Sequence, residues 1–159
     1  MNRTWSVLVD PPQESGDAGS EPELRQLTHQ TIRKVTEDIE AFSFNTAVAA
    51  LMTFANGLQK AKSEGLHGSE AWEEARRSMI LLLAPMTPFF AEELWERGGG
   101  AYSIHDEAWP EWDAGLAKPS TIEMPVQING KVRAKFDVPP DASKEEVEQL
   151  ALDQENVIR

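Results

Sequence analysis

The sequence predicts a mainly α-helical protein, in which an antiparallel helical bundle is followed by a small, incomplete α/β unit with a β-hairpin. Through most of residues 1–118, apolar residues recur at steps of three and four, the period of helices that bury one face. From Thr121 onward the period changes to two, which is typical of half-buried strands. We therefore predict two domains, with the boundary between residues 118 and 119.

The composition of the chain excludes several kinds of site and classes of protein. The chain has 159 residues, 40% of them hydrophobic, a net charge of −12 and no cysteine. The lack of cysteine excludes disulfides and thiolate metal sites and fits a reducing compartment, so we expect a cytoplasmic protein. No apolar run is long enough to span a bilayer, and the N-terminus lacks the apolar core of a secretory signal. The acidic balance argues against broad nucleic-acid binding.

The first helices are marked by their caps and apolar spacing. Arg3–Val9 is typical of the end of a helix, and Asp10–Ser20 has the composition of a loop. Ser20 and Glu23 form a capping box that opens a helix ending near Phe42. We expect its buried stripe to consist of Leu24, Leu27, Thr31, Val35, Ile39 and Phe42.

Two further helices follow. The segment 43–45 supplies a new cap, and a helix rich in alanine and leucine runs to about Lys62. The turn Gly65–Gly68 precedes Ser69, which caps a helix running into Pro85.

Pro85 and Pro88 then predict a sharp corner between two helices, because proline disrupts a helix interior. We expect Thr87 to cap the second helix, with Pro88 at its first position. The triplet 98–100 ends that helix, so it is not a phosphate loop, which would precede one. The spacing predicts that Phe89, Phe90, Leu94 and Trp95 face inward and that Glu92, Glu93 and Glu96 face water.

The second domain begins with a strand through Ile122–Ile128, in which Pro125 indicates an edge strand or a bulge. Asn129-Gly130 is the preferred pair for a two-residue type I′ turn, and a second strand follows. Ser143 and Glu146 form another capping box that opens a short helix.

The sequence contains no recognisable catalytic or metal-binding constellation. The histidines at positions 29, 67 and 105 are scattered, and we interpret each as a surface or loop residue. Carboxylates are abundant on outward helix faces, so no acid–base pair stands out. We expect a binding or structural module without a cofactor of its own.

The predicted hairpin is the best candidate site. Lys131, Arg133 and Lys135 alternate along its second strand, next to Asn129 in the turn, and could follow a phosphate backbone. Lysine on an edge strand also discourages aggregation, and composition favours neither interpretation. The weaker candidates for RNA contacts are Arg25, Arg33, Lys34, Arg76 and Arg77.

Two groups of residues that could contact RNA have ordinary structural explanations as well. The charges at Arg25, Arg33 and Lys34 are more often a solvated helix face than an RNA contact. Trp109 and Trp112 lie in an irregular segment, and we expect them to pack it onto the bundle rather than to stack on bases.

Several stretches resemble a known family. QINGKVRAKFDVPPDASKEEVEQLA, residues 127–151, resembles the start of the C-terminal domain of bacterial leucyl-tRNA synthetases. LLLAPMTPFFAEELWE, residues 81–96, and TIRKVTEDIEAFSFNTAVAALM, residues 31–52, resemble the tRNA-binding bundle of the class I synthetases for leucine, isoleucine, valine and methionine. The corner identifies only the group, whereas the NGKVR hairpin points to leucine.

The resemblance implies the fold of a class Ia anticodon-binding domain and a parent enzyme that attaches leucine to tRNA(Leu), using ATP and Mg²⁺. It implies tRNA(Leu) and the catalytic and editing domains of the parent chain as partners. The HIGH-like and KMSKS-like motifs of the catalytic domain do not occur in this sequence. We therefore expect a C-terminal fragment that is inactive alone, and the family's terminal domain continues with further strands.

Two alternatives stay open. The chain could be an acidic helical module that binds a basic protein, or the bundle of a valyl or isoleucyl enzyme. Binding to leucine tRNA, compared with a non-cognate tRNA and a basic peptide, distinguishes the first alternative. The NGKVR stretch disfavours the second.

Overall fold

The computed structural model describes residues 2–11, 19–118, 122–128, 131–139 and 142–152. Within these ranges the chain forms six α-helices and two β-strands, which confirms the predicted mainly α-helical class. In chain order they are α1 (Asn2–Val9), α2 (Glu21–Glu40), α3 (Phe44–Ser63), α4 (Glu70–Leu83), α5 (Pro88–Arg97), β1 (Ile122–Ile128), β2 (Lys131–Val138) and α6 (Lys144–Leu152). The backbone divides into two compact units, Met1–Lys118 and Pro119–Arg159. Most of the predicted loop after α1 and the predicted Asn129-Gly130 turn lie outside the described residues.

The centre of the first unit is formed by α2, α3 and α4, which pack against one another. Its largest fully buried side chains include Trp72 on α4, Phe54 and Leu58 on α3, and Ile32 on α2. The eight-residue helix α1 packs against α3 and α5 and contributes Val7 to the same core. A bundle results because each helix buries one apolar stripe against its neighbours.

A second apolar cluster lies at the proline corner. The helix α4 ends at Leu83 and α5 begins at Pro88, as the two prolines predict. The cluster combines apolar residues from the end of α4, from α5 and from Ile104. The ring of Trp5 on α1 lies against Phe90 with 6.1 Å between centroids, so α1 also covers this corner.

The caps predicted at Ser20 and Ser69 are present, whereas Ser43, from the segment predicted to cap α3, makes no side-chain capping hydrogen bond. The hydroxyl of Ser20 accepts a hydrogen bond from the backbone N–H of Glu23 at 3.3 Å, and that of Ser69 accepts from Trp72 at 3.2 Å. The capping role predicted for the Thr87 side chain is wrong. Its hydroxyl instead donates to the carbonyl of Leu83 at 3.1 Å, which also accepts the backbone N–H groups of Met86 and Thr87.

Three predicted orientations are also wrong. The helix α2 ends at Glu40, and Phe42 follows in the left-handed region (φ 55°), 81% exposed, within a very short connection to α3. Phe89 is 91% exposed, because the buried side of α5 is set by Ala91, Leu94 and Trp95. Glu92 does not simply face water, since its carboxylate accepts from the hydroxyl of Ser103 at 2.6 Å and holds the segment after α5.

The second unit is a two-stranded antiparallel sheet with one helix. Val138 on β2 is buried, and α6 packs against β2. The predicted capping box is complete: the N–H of Glu146 binds the Ser143 hydroxyl at 3.3 Å, and the N–H of Ser143 binds the Glu146 carboxylate at 2.8 Å.

A membrane-crossing helix would have to be both long and strongly apolar, and none of the helices in the described ranges meets that requirement.

Candidate nucleic-acid interface

The hairpin strands carry the first set of candidate residues. Lys131, Arg133 and Lys135 all lie on β2, and the Lys135 side chain is exposed. Asn129 lies outside the described residues, and for Lys131 and Arg133 the structure describes the strand positions only. The backbone thus places all three cations within one eight-residue strand.

The ladder between the strands is not regular. Val126 pairs with Ala134 and Gln127 pairs with Val132, so Arg133 is an extra residue without a direct partner on β1. Pro125, which predicted an edge strand or a bulge, lies one residue before this bulge. A bulge of this kind locally interrupts the two-residue alternation of a strand.

The second set of candidates lies on the bundle, and two of its members pair within α2. The Nε of Arg33 lies 2.8 Å from a carboxylate oxygen of Glu37, and the Nζ of Lys34 lies 2.5 Å from Asp38. Both pairs have the i, i+4 spacing that brings opposite charges together on a helix. The hydrogen bond from Lys34 holds the pKa of the Asp38 carboxyl below its usual value, although burial acts in the opposite direction.

Arg25 belongs to a network that joins α2, α4 and the segment after α5. Its guanidinium lies 2.6 Å from one carboxylate oxygen of Glu74 on α4. The other oxygen of Glu74 lies 3.1 Å from Nε2 of His29 on α2. The Nδ1 atom of His29 in turn accepts the backbone N–H of Asp113 at 3.0 Å. Each member of the network therefore has a partner on another segment.

His29 was predicted as a surface or loop residue, and that prediction is wrong. The residue is only 9% exposed, and both ring nitrogens are used. Because Nδ1 accepts from an N–H group, the proton of the neutral ring resides on Nε2 and is donated to Glu74. Its spacing of three from Ile32 was a signal for burial, but its partners are too distant in sequence to be recognised.

The segment after α5 is attached to α2 by further polar contacts. The side-chain amides of Gln26 and Gln30 both donate to the carbonyl of Lys118 at 3.0 Å. The indole N–H of Trp109 donates to the Thr36 hydroxyl at 2.9 Å, which confirms that this tryptophan packs onto the bundle. The Asp113 carboxylate accepts the N–H groups of Leu116 and Gly115, and these bonds lower its pKa.

Arg76 and Arg77 line a polar groove of about 520 Å³ between α4 and the glycine triplet. Arg76 pairs with Glu73 at 2.9 Å, and Arg77 pairs with Glu107 at 2.6 Å. The Arg77 guanidinium also lies 4.7 Å from the ring centroid of Trp95, a cation–π contact. The end of the Arg76 side chain lies close to Gly98, since a Cβ atom added there would be 2.3 Å from an Arg76 nitrogen.

All five bundle candidates thus have carboxylate partners. Carboxylate and phosphate compete for the same guanidinium and ammonium donors. Exposed pairs contribute only about 0–1 kcal/mol, so a phosphate could replace Glu37 at the half-exposed Arg33 at small cost. Arg25 and Arg76 are more enclosed, and Arg25 also connects α2 to α4, which makes both poorer candidates.

Lys62 was not singled out from the sequence, yet it is the most buried cation of the bundle that the structure describes. Its ammonium group donates to the carbonyls of Ser6 at 3.0 Å, Val7 at 2.8 Å and Asp10. These carbonyls lie at or just after the end of α1, where helical N–H partners run out, and that of Ser6 also accepts the N–H of Asp10 at 3.3 Å. Burial lowers the pKa of Lys62, and the nearby charge of Asp10 partly opposes this shift.

Among the described residues, no group of three or more His, Asp or Glu side chains is arranged to hold a metal ion. The polar clusters above therefore contain acids paired with bases and with backbone N–H groups.

Comparison with known proteins identifies the family. Residues 21–149 match the family model described as the anticodon-binding domain of tRNA ligase. The leucine–tRNA ligase of Herpetosiphon aurantiacus is 42% identical over 157 residues, and that of Rubrobacter xylanophilus is 44% identical over 159 residues. Each alignment covers 99% of this chain and 19% of the relative, so the chain spans about one fifth of these ligases.

A solved structure agrees with these relatives. It is the ternary complex of an Agrobacterium radiobacter LeuRS with tRNA and LeuAMS, and it matches with a TM-score of 0.69 and 30% identity. The match covers 99% of this chain and 20% of that one. The chain therefore belongs to the family of anticodon-binding domains of tRNA ligases.

Proposed function

We propose that this chain is the tRNA-binding part of a cytoplasmic leucine–tRNA ligase, which attaches leucine to tRNA(Leu) using ATP. The observation that carries the proposal is the 42–44% identity to leucine–tRNA ligases along nearly the whole chain. A fold shared with a LeuRS that was crystallised with tRNA supports it. ATP and Mg²⁺ would be bound elsewhere in the ligase, whose catalytic and editing domains are partners within the same polypeptide.

The division into a bundle, residues 1–118, and the beginning of a C-terminal tRNA-binding domain, residues 119–159, belongs to the same proposal. Within it, the principal RNA contacts come from Lys131, Arg133 and Lys135, with Asn129 in the turn. The support is the concentration of cations in β2, whose only acidic residue is Asp137. Arg33 and Arg77 are secondary contacts, since their carboxylate partners are exchangeable.

The test is a titration of the chain with tRNA(Leu) over a range of salt concentrations, with a non-cognate tRNA and a basic peptide as competitors. Replacing Lys131, Arg133 and Lys135 together by alanine is expected to weaken binding and to lower the salt slope by roughly two to three. The matched control is the double variant Lys60→Ala/Arg97→Ala, which removes two exposed cations already paired with carboxylates in the bundle and is expected to change the slope less.

Unchanged affinity in the triple variant would exclude the hairpin as the RNA contact. Preferential binding of the basic peptide would favour the acidic protein-interaction module instead. Equal binding of leucine tRNA and the non-cognate tRNA would leave tRNA binding in place without the proposed specificity.

A further inference from the structure

An apolar groove of about 460 Å³ opens in the first unit between α1, α3, α4 and α5. Buried residues such as Leu51 and Met79 form its floor, while Met52 and Val48 are exposed at its rim. Of the described residues that line the groove, two are threonines, the others are apolar and none is charged. Methionines contribute much of the lining, and their flexible side chains adapt to varied apolar partners.

The groove continues into an apolar stripe on α3. Phe44, Val48 and Met52 follow one another at a spacing of four residues and therefore share one side of the helix. They are 46%, 45% and 64% exposed. Phe42 extends this stripe, because its ring meets that of Phe44 edge-on at 6.2 Å. The stripe and the groove together are called the α3 face below.

The chemistry of the α3 face limits what can cover it. RNA binding requires cations that neutralise phosphates, and the described groove lining carries none. A second copy would bring another net charge of −12 close to the first, which opposes association. An uncharged apolar segment of protein fits the lining best, since contiguous exposed apolar surface is typical of interaction sites.

We propose that the α3 face docks an apolar segment from another domain of the same ligase polypeptide. This inference rests on the proposed function. The relatives carry this domain within chains about five times as long, so other domains are held near it covalently. Tethering raises their effective concentration, and an interface within one chain can therefore be small.

The experiment is oxidative footprinting of the natural polypeptide that contains these 159 residues. Met79 and Met124 serve as internal references, since they are 1% and 38% exposed, respectively. Without docking, Met52 at 64% exposure should oxidise faster than Met124. With docking, it should oxidise about as slowly as Met79. Val48→Asp is expected to release Met52 and to speed its oxidation about tenfold. Ala49→Asp, at an exposed neighbouring position on α3, is the matched control and should leave Met52 protected.

Three results would overturn the proposal: rapid oxidation of Met52, protection that disappears on dilution, or protection that arises only when tRNA is added. The second result would indicate a self-association surface, and the third an RNA contact. The tRNA titration is a separate measurement. Loss of tRNA binding with Met52 still protected would contradict the proposed function. Normal tRNA binding with Met52 rapidly oxidised would contradict only the docking site.

Discussion

The bundle and the hairpin unit use charged residues in different ways. Residues 1–118 contain 10 Lys and Arg against 19 Asp and Glu, and residues 119–159 contain 5 against 8. In the bundle, seven of the described Lys and Arg side chains form ion pairs with carboxylates on the same or another segment. In β2, by contrast, three cations occur within eight residues that include one acid.

The difference follows from the geometry of helix and strand. A helix brings residues four apart into contact, so acids and bases at that spacing neutralise each other. A strand separates neighbours on one face by about 7 Å, so like charges can stand in a row unless a bulge interrupts it. This difference is the reason why the proposed tRNA contact is placed on the strand rather than on the helices.

The largest expected difference between the two units is in the unfolding free energy that is lost when an aromatic ring is removed. Phe54→Ala removes a fully buried ring from the bundle core and is expected to cost about 3–5 kcal/mol of unfolding free energy. The comparison variant is Phe136→Ala, at a half-buried position of β2, which is expected to shift the unfolding transition of the bundle less. All five tryptophans lie in residues 1–118, so tryptophan fluorescence during urea unfolding reports on the bundle. An equal shift of this transition in both variants would show that the two units unfold as one.

The His29 network should give an intermediate effect, also restricted to the bundle. His29→Ala leaves the N–H of Asp113 and the carboxylate of Glu74 without one partner each, at an expected cost of about 1–3 kcal/mol. His105→Ala, at a half-exposed position, should stay within about 0.5 kcal/mol of the parent. Both are measured by urea unfolding, and similar losses in the two variants would remove His29 from the supporting network.

The smallest effect concerns the ion pair of Asp38. Its pKa is lowered in the folded state, so the unfolded state binds more protons as the pH falls. The contribution of the pair is therefore complete above the ordinary pKa of 3.8 and is lost as the pH falls through the lower folded value.

Asp38→Asn should accordingly reduce the change in urea midpoint between about pH 7 and about pH 3. Glu40→Gln, an exposed carboxyl on the same helix, is the control. If acidification lowers the midpoint of Asp38→Asn as much as that of the parent, the pair does not contribute to acid sensitivity.

The parts of the fold that were predictable depend on local rules. The caps at Ser20, Ser69 and Ser143 need only a residue and its neighbour three positions on, and each is present. The corner between α4 and α5 was predictable from Pro85 and Pro88 alone, because proline disrupts a helix interior.

The predictions that were wrong depend on contacts between a side chain and distant parts of the chain. Periodicity assigned Phe42 and Phe89 to the core, but a left-handed turn and the actual buried side of α5 expose them. His29 and Glu92 have partners on other segments, which spacing within one helix does not reveal. For the candidate site, the sequence identified the cations but not their partners. Glu107, for example, lies 30 residues after Arg77.

The ammonium group of Lys62 has a consequence for the order of folding. The end of α1 carries backbone carbonyls that accept hydrogen bonds from this ammonium group. The group that binds the carbonyls at its end arrives more than 50 residues later on α3. During synthesis these contacts can therefore form only after Lys62 on α3 has emerged.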